Sequence, residues 1–261
     1  MEIIDQIGHK LSVSKKVRRI VSLVPSQTEL LVDLGLEDNL VGVTRFCTHP
    51  KHLRSTKQII GGTKDPDLSL IKSLEPDLII CNKEENRKED VEFFQSKYPT
   101  YTSDIIYFED ALNMINDVGS LLNCGIKASE LVKEIQVGFN KLEKTRLKTV
   151  AYIIWDNPIM VVNNNTFIDS MLTKIGLHNV FSKSKNRYST ITKEELSNTN
   201  PNYIFLSSEP FPFKEKNKKN FQNQYPNSKI ILVDGRMFSW YGSCLKSAPL
   251  YLNSLYKILK D

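Results

Sequence analysis

The stretch "RRIVSLVPSQTELLVDLGL", Arg18–Leu36, carries a strand, a turn and a helix start in direct succession. Ile20–Val24 is an unbroken apolar run of strand length, and Pro25 interrupts it. From Thr28 the apolar residues recur at helical spacing until Gly35, which reads as a C-cap. Ser26 is placed as the N-cap, with Glu29 in capping-box position. A strand feeding a helix is the repeating unit of an α/β sheet, and its turn is where ligands often meet backbone N–H groups. No glycine lies in this turn, so it is not a loop that cradles phosphate.

Further strand-like runs follow at Leu40–Val43, Leu78–Cys81 and Ile105–Phe108, and a second set at Val150–Trp155, Ile159–Val162, Tyr203–Leu206 and Ile230–Val233. Helical patterns separate most of them, which predicts parallel α/β units. Between the sets, Leu131, Val132, Ile135, Phe139 and Leu142 keep helical spacing and predict one long amphipathic helix. The two halves echo each other. "TELLVDLGL" (Thr28–Leu36) matches "DSMLTKIGL" (Asp169–Leu177), and "SLEPDLIICN" (Ser73–Asn82) matches "SNTNPNYIFLSS" (Ser197–Ser208). The expected organisation is therefore an N-terminal α/β lobe over 1–125, a bridging helix over 126–148 and a C-terminal α/β lobe over 149–261, with a ligand cleft between the lobes.

Composition narrows the function classes. The 261 residues are 40% hydrophobic and 25% charged, as in ordinary globular proteins. The net charge of +5 comes from scattered lysines such as Lys214, Lys216, Lys218 and Lys219. No basic groove interleaved with aromatics is legible, so a nucleic-acid partner is not expected. No run reaches the roughly 18 apolar residues of a membrane span. The start of the chain has no apolar signal-peptide core, which reads as cytoplasmic unless an export signal has been removed. The four cysteines form no C-x-x-C pair and read as free thiols.

Candidate site residues gather where strands end. The first half offers "TRFCTHP" (Thr44–Pro50), "GGTKDPD" (Gly61–Asp67, with Thr63 and Lys64) and "CNKEEN" (Cys81–Asn86, with Asn82). The second offers "WDNPIM" (Trp155–Met160), "SSEPFPF" (Ser207–Phe213, with Glu209 and Phe211) and "DGRMFSWYGSCL" (Asp234–Leu245, with Trp240 and Tyr241). Single aromatics such as Phe46 or Phe238 commonly belong to a core. The polar–aromatic alternation of "FSWYGS" beside a glycine instead predicts an exposed loop. Cys47, His49, Glu84 and Glu85 are residue types that ligate transition metals, although their spacing matches no established site, and His49 before Pro50 also suits a turn. Sequence signatures of nucleotide-binding loops, serine hydrolases and zinc peptidases are missing, which weakens an enzyme reading.

Taken together, "RRIVSLVPSQTELLVDLGLEDNLVGVT", "IGGTKDPDLSLIKSLEPDLII" and the long helix resemble the helical-backbone substrate-binding proteins of ABC transporters, the cobalamin and ferric-siderophore receptors, over about Arg18–Leu259. "NKEEN", "SSEPFPF" and "FSWYGS" resemble a branch that often lacks a signal peptide. The resemblance implies two α/β lobes with parallel sheets joined by one long rigid helix, with a planar or chelated ligand between them. It implies that Gln27 faces that ligand, that Phe46 is a cleft aromatic, and that Met160 and Tyr188 stand where cobalamin receptors place stacking aromatics. Asn82 and Thr63 replace aromatics of such receptors, and Cys244 stands where the branch commonly has arginine. Permease docking is implied for Glu194, with Asp67 the nearest first-lobe candidate beside Ser69. The expected function is binding of a corrinoid, ferric siderophore or related metal chelate by a monomer, with no resident cofactor and an ABC permease dimer as partner. The alternatives are a metal-dependent enzyme using Cys47, His49, Glu84 and Glu85, or a cytoplasmic chelate binder without a transporter. By family the protein is periplasmic or membrane-associated.

Overall fold

In the computed structural model, which describes residues 2–13, 16–145 and 148–260, Arg18–Leu36 forms a strand and a helix linked only by Leu23 and Val24. Two short antiparallel strands, β1 (Glu2–Ile4) and β2 (Lys10–Ser12), precede β3 (Ile20–Ser22), and α1 (Pro25–Asp33) follows it. The helix begins at Pro25, so Ser26 is not its cap. Val24 occupies that position and no side chain caps the end. Proline is suited to the first helical position because the N–H it lacks would be unpaired there anyway. Ser26 and Gln27 therefore fall inside the first turn and are buried, at 4% and 1% exposure. Gly35 ends the helix with φ +82°, the left-handed conformation only glycine takes freely.

The chain continues through β4 (Leu40–Val43), α2 (Leu53–Thr56), β5 (Gln58–Ile59), α3 (Leu68–Ser73), β6 (Leu78–Asn82), α4 (Lys88–Gln95) and β7 (Thr100–Ser103). The sheet order is β5-β4-β3-β6-β7, parallel throughout. Its core gathers Val21, Leu23, Ile60, Ile71, Ile79, Cys81, Val91 and Phe94. The last strand is "TYTS" rather than the apolar run Ile105–Phe108. All four of its residues are buried, and three of their hydroxyls find internal partners: Tyr101 donates to Asp117 Oδ2 at 2.9 Å, Thr100 to Tyr98 O at 3.0 Å and Ser103 to Cys81 O at 3.3 Å. Threonine and tyrosine favour strands even without an apolar pattern. Phe108 instead opens α5 (Phe108–Leu121), where its ring lies 4.3 Å from that of Phe139.

After α5 comes α6 (Gly125–Phe139). The expected helix to 148 ends at Phe139 because the chain beyond is engaged elsewhere: Thr145 N–H and Oγ1 donate to Ile175 O at 2.9 and 3.2 Å, and Oγ1 lies 2.9 Å from Gly176 O. Residues 146 and 147 of that expectation lie outside the described residues.

The second half comprises β8 (Lys148–Trp155), β9 (Ile159–Val162), α7 (Phe167–Lys174), β10 (Leu177–Asn179), β11 (Tyr188–Ile191), α8 (Lys193–Thr199), β12 (Tyr203–Ser207), α9 (Glu215–Gln224), β13 (Lys229–Val233), α10 (Arg236–Ser239) and α11 (Ala248–Lys260). Its sheet runs β11-β9-β8-β12-β13, with β10 also on β8. β8, β10, β12 and β13 are parallel, but β9 pairs antiparallel with both β8 and β11, so this sheet is mixed rather than parallel. Asp156–Pro158 is too short a link for a crossover and can only return the chain as a hairpin. The internal echoes hold locally. Gly176 ends α7 with φ +77°, as Gly35 ends α1, and Pro76 and Pro201 each precede a buried strand.

Two compact units result. One holds Met1–Ile105, Glu109–Gln136 and Tyr241–Lys246; the other holds Ile106–Phe108, Val137–Trp240 and Ser247–Asp261. The boundary after Gln136 lies inside α6, so one helix carries the chain from unit to unit. The division departs from the three-part expectation at 241–246, which returns to the first unit. There Cys244 and Leu245 are buried, and Gly242, at φ +104°, would place a Cβ 3.2 Å from Ser26 O in α1. Among the described residues, no helix is long and apolar enough to cross a membrane.

Candidate functional site

In the first unit, the loops after β4, β5 and β6 and the start of α1 share the carboxyl edge of the parallel sheet. Such edges are where open α/β sheets bind ligands. Asn82, the last residue of β6, organises this edge. Its Oδ1 accepts from the N–H groups of Glu84 and Glu85 at 2.8 and 3.0 Å, and its Nδ2 donates to Ser103 O and Oγ at 3.2 and 3.0 Å. Asn82 is thus a buried structural group rather than a surface replacing an aromatic. Gln27 Nε2 donates to the same Ser103 hydroxyl, while Gln27 Oε1 is buried without a hydrogen-bond donor.

Asn86 was not among the expected site residues, yet it ties three segments together. Its Oδ1 accepts from Asn82 N at 2.8 Å, and its Nδ2 donates to Thr63 O at 2.9 Å and Leu23 O at 3.4 Å. The repeated asparagine in "NKEEN" was the available signal, since asparagine bonds neighbouring backbone readily. Lys64 adds to the brace, its Nζ donating to Glu84 O at 2.6 Å. Phe46 is the exposed aromatic here, 49% accessible, with the Arg45 guanidinium 5.0 Å from its ring centre. Arg45 in turn holds both oxygens of Asp65 at 2.9 Å.

The structure does not gather the residues of the metal reading. Cys47 is fully buried, its Sγ 3.2 Å from Thr28 Oγ1 and 3.3 Å from Thr44 Oγ1, and burial pushes its thiol up, away from the thiolate a metal needs. His49 Nδ1 lies 3.1 Å from Thr48 Oγ1. Glu85 accepts a hydrogen bond from Tyr241 OH at 2.9 Å. Among the described residues, no group of three or more His, Cys, Asp or Glu side chains is placed to hold a metal ion. Tyr241 is also not the exposed second-lobe stacking group expected. It is 5% accessible and belongs to the first unit, and burial followed by the Glu85 carboxylate holds its phenol well above the usual range.

In the second unit, a bulge between Ile153 and Trp155 sets Trp155 opposite Met160, and β11 places Thr190 opposite Met160 and Tyr188 opposite Val162. Paired residues share a face, so Trp155, Met160 and Tyr188 lie on one side of the sheet edge. Trp155 is 40% exposed and meets Phe211 edge-on at 5.5 Å. Phe211 packs 4.7 Å from Phe213, which is buried in the unit's core. Beside them, Glu209 Oε1 accepts from Ser239 Oγ at 2.7 Å and Trp240 Nε1 at 3.0 Å, and the Arg236 guanidinium lies 4.5 Å from the Trp240 ring centre. Burial raises the Glu209 carboxyl above its ordinary value, while the Ser239 and Trp240 bonds lower it. Ser239 and Arg236 escaped sequence reading because their contacts with Glu209 and Trp240 arise only once the loops are folded.

The two docking candidates occupy helix starts. Asp67 Oδ1 caps α3 by accepting from Leu70 N at 2.9 Å, and Glu194 is exposed in the first turn of α8.

The family model described as periplasmic binding protein matches residues 20–225, most of the chain. The chain belongs to the periplasmic binding protein family. Among relatives of this periplasmic binding protein, an ABC transporter substrate-binding lipoprotein of Bacillus subtilis is 27% identical over 212 residues, 77% of this chain and 67% of that one. A vitamin B12-binding protein of Vibrio parahaemolyticus is 24% identical over 202 residues, 74% of this chain and 72% of its own. A petrobactin-binding protein of Bacillus subtilis is 24% identical over 285 aligned residues, 99% of this chain and 86% of its own. The crystal structure of the periplasmic vitamin B12 binding protein of Vibrio cholerae superposes with a TM-score of 0.78 at 19% identity, over 94% of this chain and 99% of that one. At that identity the likeness establishes the fold.

Proposed function

We propose that this periplasmic binding protein is the substrate-binding component of an ABC transporter, and that its cargo is a corrinoid, a ferric siderophore or a related metal chelate. The observation that carries the reading is the aromatic edge of the second unit. Trp155, Phe211 and Trp240, with Met160 and Tyr188 on the adjoining strands, offer flat apolar and polarizable groups at strand ends, bordered by a carboxylate. Such a surface suits a broad, rigid macrocycle or chelate better than a small polar solute, because stacking rewards area and asks little directional hydrogen bonding. The cargo is taken up and released unchanged, so the protein is not an enzyme and keeps no resident cofactor. It works as a monomer outside the cytoplasm, and Asp67 and Glu194 are the carboxylates that meet the permease dimer.

Purification from the protein's native source tests this reading. The expected result is a visible spectrum of a corrin or ferric chelate that elutes with the protein, and a native mass raised by one such ligand per chain. A colourless protein that gains no mass from any chelate, or a chelate recovered chemically altered, would count against it.

A further inference from the structure

Glu209 is held more tightly than a side chain at the rim of a binding surface needs to be. Ser239 Oγ and Trp240 Nε1 converge on one of its oxygens, Oε1, at 2.7 and 3.0 Å. Its backbone is fixed as well: Ser207 Oγ donates to Glu209 O at 2.6 Å and accepts from Glu209 N at 3.3 Å. Its stem runs against Gly235, where a Cβ would come within 2.5 Å of Glu209 Cγ, so the glycine makes room for this side chain. Both donors on Oε1 are neutral groups. The Arg236 guanidinium, over the Trp240 ring, acts on Glu209 with a favourable charge, and Asp234 opposes it with a charge of the same sign as Glu209. The result is a carboxylate with two neutral donors on Oε1, no ion pair within 4 Å among the described residues, and a second oxygen with acceptor capacity remaining.

A carboxylate in that state discriminates by charge. A ligand presenting an amide N–H or another donor gains a charge-assisted hydrogen bond. A ligand presenting an anionic oxygen meets like charge where water is partly excluded, and repulsion of this kind is an effective means of rejecting a wrong partner. We infer that Glu209 is the residue by which this protein selects chelates edged with hydrogen-bond donors, such as an amide-armed corrinoid, over chelates edged with anionic oxygens, such as a ferric tris-catecholate. The inference rests on the proposed binding function and adds the class of cargo to it.

Titrations of wild type and Glu209→Gln with dicyanocobinamide and with a ferric tris-catecholate, at one ionic strength, test it. Glutamine keeps an oxygen for Ser239 and Trp240 but replaces the second oxygen with an NH₂ group, turning an acceptor into a donor. The expected wild-type preference for dicyanocobinamide is about tenfold or more, and Glu209→Gln should erase it by weakening the corrinoid and strengthening the tris-catecholate. Trp240→Phe keeps an aromatic ring and removes the indole N–H, so it should shift the preference the same way by a smaller factor. It also decides the matter if Glu209→Gln folds poorly. A preference unchanged in both variants, or a wild type that favours the tris-catecholate, overturns the inference and leaves the binding function standing. A wild type that binds neither probe overturns both.

Discussion

Replacing Asn82 by alanine is expected to destabilise the first unit by about 3 kcal/mol, the sum expected from losing four hydrogen bonds and the acceptor of two part-buried N–H groups. The side chain makes four hydrogen bonds; Ser103, which receives two of them, keeps Lys83 N on its carbonyl and Gln27 Nε2 on its hydroxyl. The N–H groups of Glu84 and Glu85 lose their acceptor at the same time. Denaturant unfolding checks this through a lower midpoint at unchanged slope. Hydrogen exchange should show faster opening at 83–87, because that loop owes its shape to the Asn82 and Asn86 side chains. A loss below about 1 kcal/mol would mean that water or a rearranged Ser103 replaces the asparagine.

Trp240→Ala is expected to weaken chelate binding about a hundredfold, in line with the roughly 2–4 kcal/mol carried by a central aromatic anchor. The substitution removes a stacking ring, the platform under Arg236 and one of the two donors that orient Glu209. The half-buried position predicts a smaller effect on folding than on binding, so the unfolding midpoint should move little. Isothermal titration of Trp240→Ala beside His49→Ala separates stacking from coordination. His49→Ala should bind like the parent, since Cys47 is sealed in a hydroxyl network and, among the described residues, no metal-binding cluster forms around the histidine. Loss of binding in His49→Ala with retention in Trp240→Ala would reverse the assignment of roles.

Local punctuation was the legible part of the fold. Gly35 and Gly176 end helices in a conformation that other residues adopt only with strain, and Pro76 and Pro201 mark entry into buried strands, so the duplicated α/β plan could be read from single residues. The errors came where tertiary context decides. "TYTS" is a fully buried strand without apolar periodicity, and the hydroxyls of Thr100, Tyr101 and Ser103 are satisfied from outside the strand. β9 reverses direction on account of a short connection, which a hydrophobic pattern does not encode. Ser26 looked like a cap, but Pro25 had already begun the helix.

For the candidate site, the strand-end positions are legible in the sequence and the partners of each side chain are not. Trp155, Met160 and Tyr188 come together on one face, helped by a bulge that no pattern announces. Trp240 and Tyr241 are neighbours in sequence yet serve different units, one bonded to Glu209 and the other to Glu85. Alternation of polar and aromatic residues gave both the same reading, and only the partners of each side chain tell them apart.

The central claim, that this periplasmic binding protein binds a corrinoid or metal chelate against its aromatic strand ends, is tested most directly by tryptophan emission. The chain has two tryptophans, Trp155 and Trp240, and both lie on the proposed surface. Titration with cyanocobalamin, dicyanocobinamide and ferric siderophores should give saturable quenching at one ligand per chain, with a Kd below about 1 μM for the preferred cargo, near −8 kcal/mol. Emission that stays unchanged with every one of these chelates up to about 100 μM, roughly −5.5 kcal/mol, would contradict it.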